Sequence, residues 1–319
     1  MNLGISMPTR PPLMTPDNLV AILQKAEELG YGYAAIPDHI IAPAEFAGAY
    51  PYTASGAMTW GPSGNVIEML SLLMFAAAHT TKLKVMTGVA VIPLRNPLFM
   101  AKALATIDIL SKGRLTVGCG VGWEHQEFAA LGAAPFKERG KVTNEYIRLF
   151  KELWTKDAPR FDGRYVKFGD MPFLPKPVQK PHPPIWIGGE SPAAMRRAVE
   201  FGDAWFPIGS NKGYPYDTPK RFSAALEKFR QYANEAGRDP KDITLSYCPL
   251  WYSEQEAQIL ESGERRAFTG SFQQVADDIK SFQELGVENM IFGLQAPTLE
   301  QTLGRMERLV ERVLPLTKA

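Results

Sequence analysis

The sequence predicts an α/β fold arranged as a (β/α)8 TIM barrel, and three observations support that prediction. Eight short apolar segments typical of strands alternate with eight helical stretches, as expected of parallel strands joined by crossover helices. The 319 residues, 45% of them hydrophobic, suit one barrel, so we expect a single domain over residues 1–319. Residues 84–123 form a complete strand–helix–strand pattern. A doubly wound sheet is the competing architecture, but eight regular repeats favour closure.

The strand–helix–strand unit at residues 84–123 shows the pattern most clearly. Residues 85–92 are uncharged and rich in β-branched side chains, which is typical of a strand buried on both faces. Pro97 suits the first turn of a helix over residues 98–110, and Lys112 with Gly113 suits its end. Apolar residues at helical spacing predict the face of this helix that packs on the sheet. They are Phe99, Ala103, Ile107 and Leu110.

The other elements follow from the same signals in chain order. Strands are predicted at residues 3–7, 33–37, 85–92, 115–119, 184–187, 203–207, 243–247 and 289–292. Helices are predicted at residues 19–29, 67–78, 98–110, 124–131, 137–154, 191–201, 218–236, 272–285 and 299–314. The helices at 124–131 and 137–154 belong to the same connection between two strands. Thr15 and Ser191 are N-cap signals, while Gly30 and Gly237 are stop signals.

Two connections break the rhythm. Residues 40–66, after the second strand, are rich in Pro, Gly, Tyr and Ser and lack periodicity, so we expect a long excursion there. Residues 160–184, before the fifth strand, predict a smaller, hairpin-like one.

Composition excludes several classes of function. A net charge of +1 from 35 basic and 34 acidic residues gives no reason to expect nucleic acid or a membrane surface as a partner. No apolar run approaches the ~18 residues of a membrane span, and the N-terminus lacks a secretion-signal pattern. Cys119 and Cys248 lie in apolar strands and are expected to be free thiols. We therefore expect a soluble cytoplasmic protein.

Residues just past the carboxyl ends of barrel strands converge on one face, where barrel enzymes place their chemistry. Asp38 and His39 follow the second strand. Imidazole titrates near neutral pH, so His39 is the proton-transfer candidate, with Asp38 as its orienting group or as a base. The alternative is that Asp38 caps a turn and His39 only packs. The sequence contains no spacing typical of metal ligands, so we expect no metal site. It also contains no Gly-X-Ser-X-Gly motif, so a serine hydrolase has no support.

Glycines mark two further positions at these strand ends. Gly88 within the third strand suggests a bulge or a close backbone approach. Residues 188–192, GGESP, suit an anion site, because paired glycines, a serine hydroxyl and a helix N-terminus meet there. The simpler interpretation, a helix cap, explains Ser191 but not the two glycines, and we favour a phosphate site.

Taken in order, five motifs resemble the luciferase-like monooxygenase superfamily, and within it the F420-dependent oxidoreductase branch. They are LGYGYAAIPDH at 29–39, PLRNP at 93–97, LSKGRL at 110–115, GCGVGW at 118–123 and PIWIGG at 184–189. The resemblance implies a barrel that binds the deazaflavin coenzyme F420, or FMN, at the strand carboxyl ends. It also suggests a homodimer.

The resemblance assigns candidate roles to residues of this chain. In that family the cofactor ring rests on a bulge in the third strand that contains a non-prolyl cis peptide bond. The resemblance therefore makes Gly88–Val89 the candidate for that bond in this chain. Glu190 and Ser191 match the phosphate position, and Asp38–His39 matches an acidic–histidine pair beside the reacting carbon. The implied cofactor-binding residues are Gly88, Val89, Gly120, Trp123, Gly188, Gly189, Glu190 and Ser191. Basic residues such as Arg95 are candidates for contact with the acidic tail of F420.

Two departures from the family's sugar-phosphate dehydrogenases argue against that reaction. Trp123 stands where those enzymes carry a proton-donating glutamate, and Pro43 stands where they carry a tryptophan. The aromatic residues of the long excursion, among them Tyr52 and Trp60, suggest instead a small apolar or aromatic substrate under a lid. These aromatic side chains would equally suit a dimer interface.

The expected function is hydride transfer between F420 and a small organic substrate, with His39 and Asp38 handling the proton. One alternative is an FMN-dependent monooxygenase that receives reduced FMN from a separate reductase and uses oxygen. An alternative of a different class is a non-catalytic barrel that acts as a binding subunit.

Overall fold

The computed structural model describes residues 1–41, 50–53 and 64–318. Its strands are β1 (Asn2–Ser6), β2 (Tyr33–Ile36), β3 (Lys84–Val91), β4 (Leu115–Gly120), β5 (Phe161–Asp162), β6 (Lys167–Phe168), β7 (Ile185–Gly188), β8 (Ala204–Phe206), β9 (Thr244–Tyr247), β10 (Ser253–Glu254), β11 (Thr269–Gly270) and β12 (Val287–Phe292). Its α-helices are α1 (Pro16–Glu28), α2 (Met69–Ala78), α3 (Pro97–Leu110), α4 (His125–Ala130), α5 (Arg139–Thr155), α6 (Pro192–Phe201), α7 (Pro219–Glu235), α8 (Phe272–Glu284) and α9 (Leu299–Arg308).

Eight parallel strands close into a barrel in the order β1-β12-β9-β8-β7-β4-β3-β2, which confirms the predicted fold. Each of the eight predicted strand segments contributes one barrel strand. The closing pairs join β1 to both β2 and β12, so no strand edge is left open. All strand carboxyl ends therefore point to the same rim.

The main core lies between the barrel and its helices. Large side chains that are fully buried include Trp154, Trp205, Phe150 and Phe222. A second cluster fills the barrel itself, where Tyr33, Trp186 and Phe206 pack with ring centroids 5.1 and 5.6 Å apart. The barrel interior is therefore packed with side chains and is not an open channel.

Both predicted excursions are present. The second contains a small antiparallel hairpin of β5 and β6, as predicted. The first spans residues 37–68, of which 42–49 and 54–63 lie outside the described residues. A third excursion, residues 248–271 between β9 and α8, was not predicted. Its strands β10 and β11 are two residues long, too short to produce a sequence pattern.

The predicted sheet-facing side of α3 is only partly right. Of the predicted residues, Ile107 is fully buried, but Phe99 and Leu110 are each 63% exposed. Met100 and Leu104, which were not predicted, are fully buried. The helix is apolar nearly all the way round, so helical spacing does not identify which of its faces meets the sheet.

The last helix, predicted over residues 299–314, is α-helical over only part of that range. The α-helical pattern stops at Arg308, and a π-helical turn, Leu309–Val313, continues it. Pro315 lacks the N–H that a continuing α-helix would require, which agrees with the change of pattern. Within the described residues, no helix has both the length and the apolar character needed to cross a bilayer.

Candidate active site

A cavity of about 660 Å³ opens at the carboxyl ends of the barrel strands. Its walls come from segments that follow β1, β2, β4, β8, β9 and β12 and from the ends of β3 and β7. Most of the residues singled out in the sequence line it together. These are Asp38, His39, Tyr52, Gly88, Val89, Gly120, Trp123, Gly188 and Gly189. Its size is within the range of small-molecule and cofactor sites.

The base of the cavity is a bulge in β3. The Gly88–Val89 peptide bond is cis, as predicted. The pairing of β3 with β4 shifts between Thr87 and Ala90, so the bulge is also visible in the strand register. The side chain at position 88 must be absent, because a Cβ on Gly88 would lie 2.8 Å from the Cβ of Ala35.

Three glycines on neighbouring strands make room for this bulge. A Cβ on Gly118 would lie 2.1 Å from the carbonyl oxygen of Thr87. A Cβ on Gly120 would lie 2.6 Å from Cγ2 of Val89, and one on Gly188 would lie 3.0 Å from its Cγ1. These glycines let the Val89 side chain lie across β4 and β7. The Val89 side chain therefore forms an apolar surface that is flanked by the backbone of these glycines.

His39 is held by a carboxylate that the sequence did not single out. Its Nδ1 lies 3.1 Å from Oε2 of Glu127, a residue of α4 that is 2% exposed. The other carboxylate oxygen, Oε1, accepts the backbone N–H groups of Ile40 at 2.7 Å and Ile41 at 3.2 Å. Nδ1 of His39 therefore faces a carboxylate oxygen, and a carboxylate can only accept hydrogen bonds.

The described contacts of the Asp38 carboxylate are to Arg95 and Val91. Arg95 donates to both oxygens of this carboxylate, at 2.7 and 2.8 Å, and the N–H of Val91 donates to Oδ2 at 2.9 Å. The side chain is fully buried. With a bidentate guanidinium and a backbone amide on its oxygens, Asp38 is suited to fixing the end of β3, and Glu127 is the carboxylate that holds Nδ1 of His39.

Arg95, a candidate for contact with the acidic cofactor tail, binds two carboxylates of the chain itself. Besides Asp38 it binds Glu68, at 2.8 Å, and its side chain is only 8% exposed. Its charge-assisted hydrogen bonds to Asp38 raise the pKa of Arg95 despite the opposing effect of burial. Glu68 also caps α2 through the N–H of Ser71. The cluster therefore joins the ends of β2 and β3 to α2.

Aromatic side chains form one wall of the cavity. The Trp123 ring lies edge-on to Tyr50, with centroids 5.2 Å apart, and edge-on to His39, at 6.1 Å. Tyr50 in turn packs edge-on against Tyr52, at 5.5 Å. Burial raises the pKa of Tyr52 well above its ordinary value, so its phenol stays protonated. Trp60, the other predicted substrate residue, and Pro43 lie outside the described residues.

The loop from Gly188 to Ser191 reaches the cavity only through its glycines. Gly189 adopts a φ of +111°, a conformation that favours glycine. Ser191 caps α6, its Oγ accepting the N–H of Ala194 at 3.2 Å. Glu190 and Ser191 are absent from the described cavity wall. The helix-cap interpretation therefore describes Ser191, while the glycine backbone lies at the cavity.

Glu190 is buried behind the wall. Its carboxylate accepts the N–H of Ile208 at 2.7 Å and the side-chain amide of Asn211 at 2.7 Å. Burial outweighs these hydrogen bonds and raises the pKa of Glu190 to about 7. The carboxylate fixes the loop after β8, and Ile208 of that loop lines the cavity.

Arg10, after β1, is a cavity residue that the sequence analysis did not single out. Among the described residues of the cavity wall it is the only lysine or arginine. Burial lowers the pKa of Arg10 to about 10, and the neighbouring Tyr50 opposes that shift. A guanidinium in this position can donate hydrogen bonds to an anionic or carbonyl oxygen of a bound molecule.

Both cysteines are buried. Burial raises the pKa of Cys119 and of Cys248 to about 12, and both are free thiols. The part of the chain that the structure describes contains no group of three or more His, Cys, Asp or Glu side chains placed to hold a metal.

Little in the sequence indicated that Glu127 contacts His39. Glu127 lies in a helix of six residues whose first three, His125 to Glu127, are polar and therefore typical of a solvent-exposed turn. The one available signal was its neighbour Phe128, since an apolar side chain in a short polar helix indicates that part of the helix faces inward.

Comparison with known proteins finds relatives whose names state a flavin or deazaflavin cofactor. The family model described as luciferase-like monooxygenase matches residues 1–248. An F420-dependent glucose-6-phosphate dehydrogenase of Amycolatopsis mediterranei is 31% identical over 251 residues, covering 77% of this chain and 68% of that protein. An FMNH2-dependent dimethylsulfone monooxygenase of Pseudomonas putida is 38% identical over 149 residues, covering 46% of this chain and 41% of that protein.

A solved structure agrees with the fold. The F420-dependent secondary alcohol dehydrogenase in complex with an F420-acetone adduct superposes with a TM-score of 0.77 over all of both chains, at 19% identity. Similarity at this level of identity shows a shared fold.

Proposed function

The chain belongs to the luciferase-like monooxygenase family, and from that premise we propose that it transfers hydride between coenzyme F420 and a small apolar or aromatic organic substrate. The observation that supports this most strongly is one cavity lined by both the cis Gly88–Val89 bulge and His39, whose Nδ1 is held by Glu127. The bulge offers the apolar side chain of Val89, and the histidine offers a nitrogen that can accept a proton.

The residues of the cavity fit a flavin-like ring. The volume of about 660 Å³ suits a ligand of that size, and Val89, Phe206 and Ile208 provide apolar walls. When bound, F420 supplies a ring carbon that accepts or donates hydride. We propose that the backbone of Gly88 and Val89 supports the ring, with Gly120 and Trp123 beside it.

Backbone groups are the proposed holders of the phosphate. Gly188 and Gly189 line the cavity just before the N-terminus of α6, where N–H groups and the helix dipole favour an anion. Ser191 accepts a hydrogen bond as N-cap and still has its own O–H to donate. Glu190 lies outside the cavity wall and is proposed to act indirectly, by accepting the N–H of Ile208 and so fixing the loop that carries it.

His39 is the proposed proton carrier. Its Nε2 takes up the proton that leaves the substrate when the substrate is oxidised and returns it in the reverse direction. Asp38 has a positioning role through Arg95 and Val91. Trp123 and Tyr52 are proposed to contact the substrate and to keep water away from it, with Trp60 assigned the same role from the sequence alone. Trp123 in place of a glutamate remains the reason to propose no sugar-phosphate oxidation.

An FMN-dependent monooxygenase is the second candidate. The observation in its favour is the 38% identity with the dimethylsulfone monooxygenase, over 149 residues. That reaction would require a separate reductase to supply reduced FMN. The same cavity and the same glycine loop would hold the flavin.

Equilibrium titration of the purified protein with F420, FMN and reduced FMN separates the two candidates. We expect saturable binding of F420 and much weaker binding of both forms of FMN. Tight binding of reduced FMN without binding of F420 would favour the monooxygenase. Binding of none of the three would contradict both and support a non-catalytic barrel.

A homodimer is the proposed assembly. The outer faces of α2 and α3 carry the exposed side chains Met74, Phe99 and Leu110. The segment with exposed Leu174 and Val178 runs alongside α3, where Lys102 donates to the carbonyl oxygen of Leu174 at 2.5 Å. These side chains extend over two adjacent helices and a loop, and an apolar surface of that extent suits a second copy of the chain.

A further inference from the structure

The two oxygens of the Glu127 carboxylate bind different partners. Oε1 accepts two backbone N–H groups, those of Ile40 and Ile41, while Oε2 meets Nδ1 of His39. Glu127 is 2% exposed, so water does not compete for these positions. The donors on Oε1 are backbone groups directly after His39, and they cannot turn away without moving the chain.

We propose that Glu127 is a positioning residue that sets the tautomer of His39, placing the proton on Nδ1 so that Nε2 can accept one. This inference rests on the proposed role of His39. In a neutral imidazole one nitrogen donates and the other accepts, and the partner of the first decides which. Glu127, as a carboxylate, requires Nδ1 to be the donor.

The same geometry predicts what a glutamine would do at this position. Glu127→Gln keeps the size of the side chain but replaces one oxygen by an NH2 group. The two backbone N–H groups require the remaining oxygen at the place of Oε1, so the NH2 group faces Nδ1. Since NH2 only donates, Nδ1 must become the acceptor and the proton moves to Nε2. The substitution reverses the tautomer while leaving the backbone hydrogen bonds in place.

Reversal removes the proton acceptor that we assign to Nε2 of His39. A histidine with N–H at Nε2 cannot take a proton there, and loss of a positioned base slows turnover on the order of 10²- to 10⁴-fold. Binding of F420 should change little, because Glu127 lies outside the described cavity wall.

Nitrogen-15 NMR of histidine-labelled protein at about pH 8 tests the inference without a substrate. The chain has four histidines, and loss of one signal pair in His39→Gln assigns His39. We expect the Nδ1–H tautomer in the wild type and the Nε2–H tautomer in Glu127→Gln. Glu124→Gln is the matched control, since Glu124 caps α4 through the N–H of Gln126 and should leave the His39 tautomer unchanged.

An Nε2–H tautomer in the wild type, or an unchanged Nδ1–H tautomer in Glu127→Gln, would overturn the inference. A reversal in Glu124→Gln as well would assign the effect to α4 as a whole and would also overturn it. These outcomes are independent of the cofactor titration, which can fail for F420 and FMN while the NMR result stands. The two proposals are therefore refuted by different measurements.

Discussion

Glu190 is a buried glutamate whose charge affects stability at neutral pH. Its pKa rises from an ordinary 4.5 to about 7 because burial disfavours the carboxylate. Between these values the folded protein binds a proton that the unfolded chain does not bind. The contribution of Glu190 to stability therefore falls as pH rises from about 4.5 to about 7, and the cost is complete above that range.

Glu190→Gln removes this dependence. We expect the stability of the variant relative to wild type to rise between pH 5 and 8, by up to about 3 kcal/mol. Lost hydrogen bonding to Asn211 adds an offset that does not change with pH, so the slope is the test. Urea unfolding at several pH values measures it, with the exposed Glu256→Gln as control. Equal slopes for Glu190→Gln and wild type would contradict the assignment.

At the scale of single residues, the sequence predicted backbone features better than side-chain partners. The cis bond at Gly88–Val89 followed from a glycine inside a strand, together with the family motifs. The pairing of Asp38 with Arg95, and of His39 with Glu127, could not be predicted. The second pair joins residues 88 positions apart in the chain. Neither partner lies in a pattern that indicates its contact.

At the scale of elements, the bulge in β3 depends on the glycine of β4. Gly118→Ala would place a Cβ 2.1 Å from the carbonyl oxygen of Thr87, whose hydroxyl also donates to the carbonyl oxygen of Gly118 at 2.7 Å. Because backbone cannot move aside cheaply, we expect a loss of stability of at least about 2 kcal/mol. Gly169→Ala is the control, since its nearest contact would be Cγ of Arg160 at 3.8 Å. Thermal unfolding of both variants measures the difference, and equal midpoints would contradict the packing described.

The elements themselves were predictable where several signals agreed. Each barrel strand combined an apolar run with a flanking turn, and α6 combined Ser191 at the N-cap with Pro192 after it. The orientation of α3 was not predictable, because both of its faces are apolar. Two glutamates accept hydrogen bonds from backbone N–H groups of loops distant in the sequence, and these contacts were not predictable either. Glu27 receives those of residues 81–83 and Glu145 those of residues 164–166.

At the scale of the whole molecule, the apolar face of α2 and α3 predicts assembly. We expect light scattering to give a mass twice that of the chain at micromolar concentration. The double variant Phe99→Asp/Leu110→Asp should be monomeric, because it places charges on that face. Ile259→Asp, at a position 66% exposed elsewhere, is the matched control and should remain dimeric. A monomeric wild type, or a double variant that remains dimeric, would contradict this assignment.

The central claim is that the cavity at the strand carboxyl ends holds the deazaflavin. The most direct measurement is the F420 titration repeated on Ile208→Trp, which places a larger side chain in the cavity wall, and on Ile259→Trp, which enlarges an exposed side chain elsewhere. We predict one F420 per chain in the wild type, binding weakened at least about tenfold in Ile208→Trp, and unchanged binding in Ile259→Trp. Wild-type affinity in Ile208→Trp, or no F420 binding by the wild type, would contradict the account.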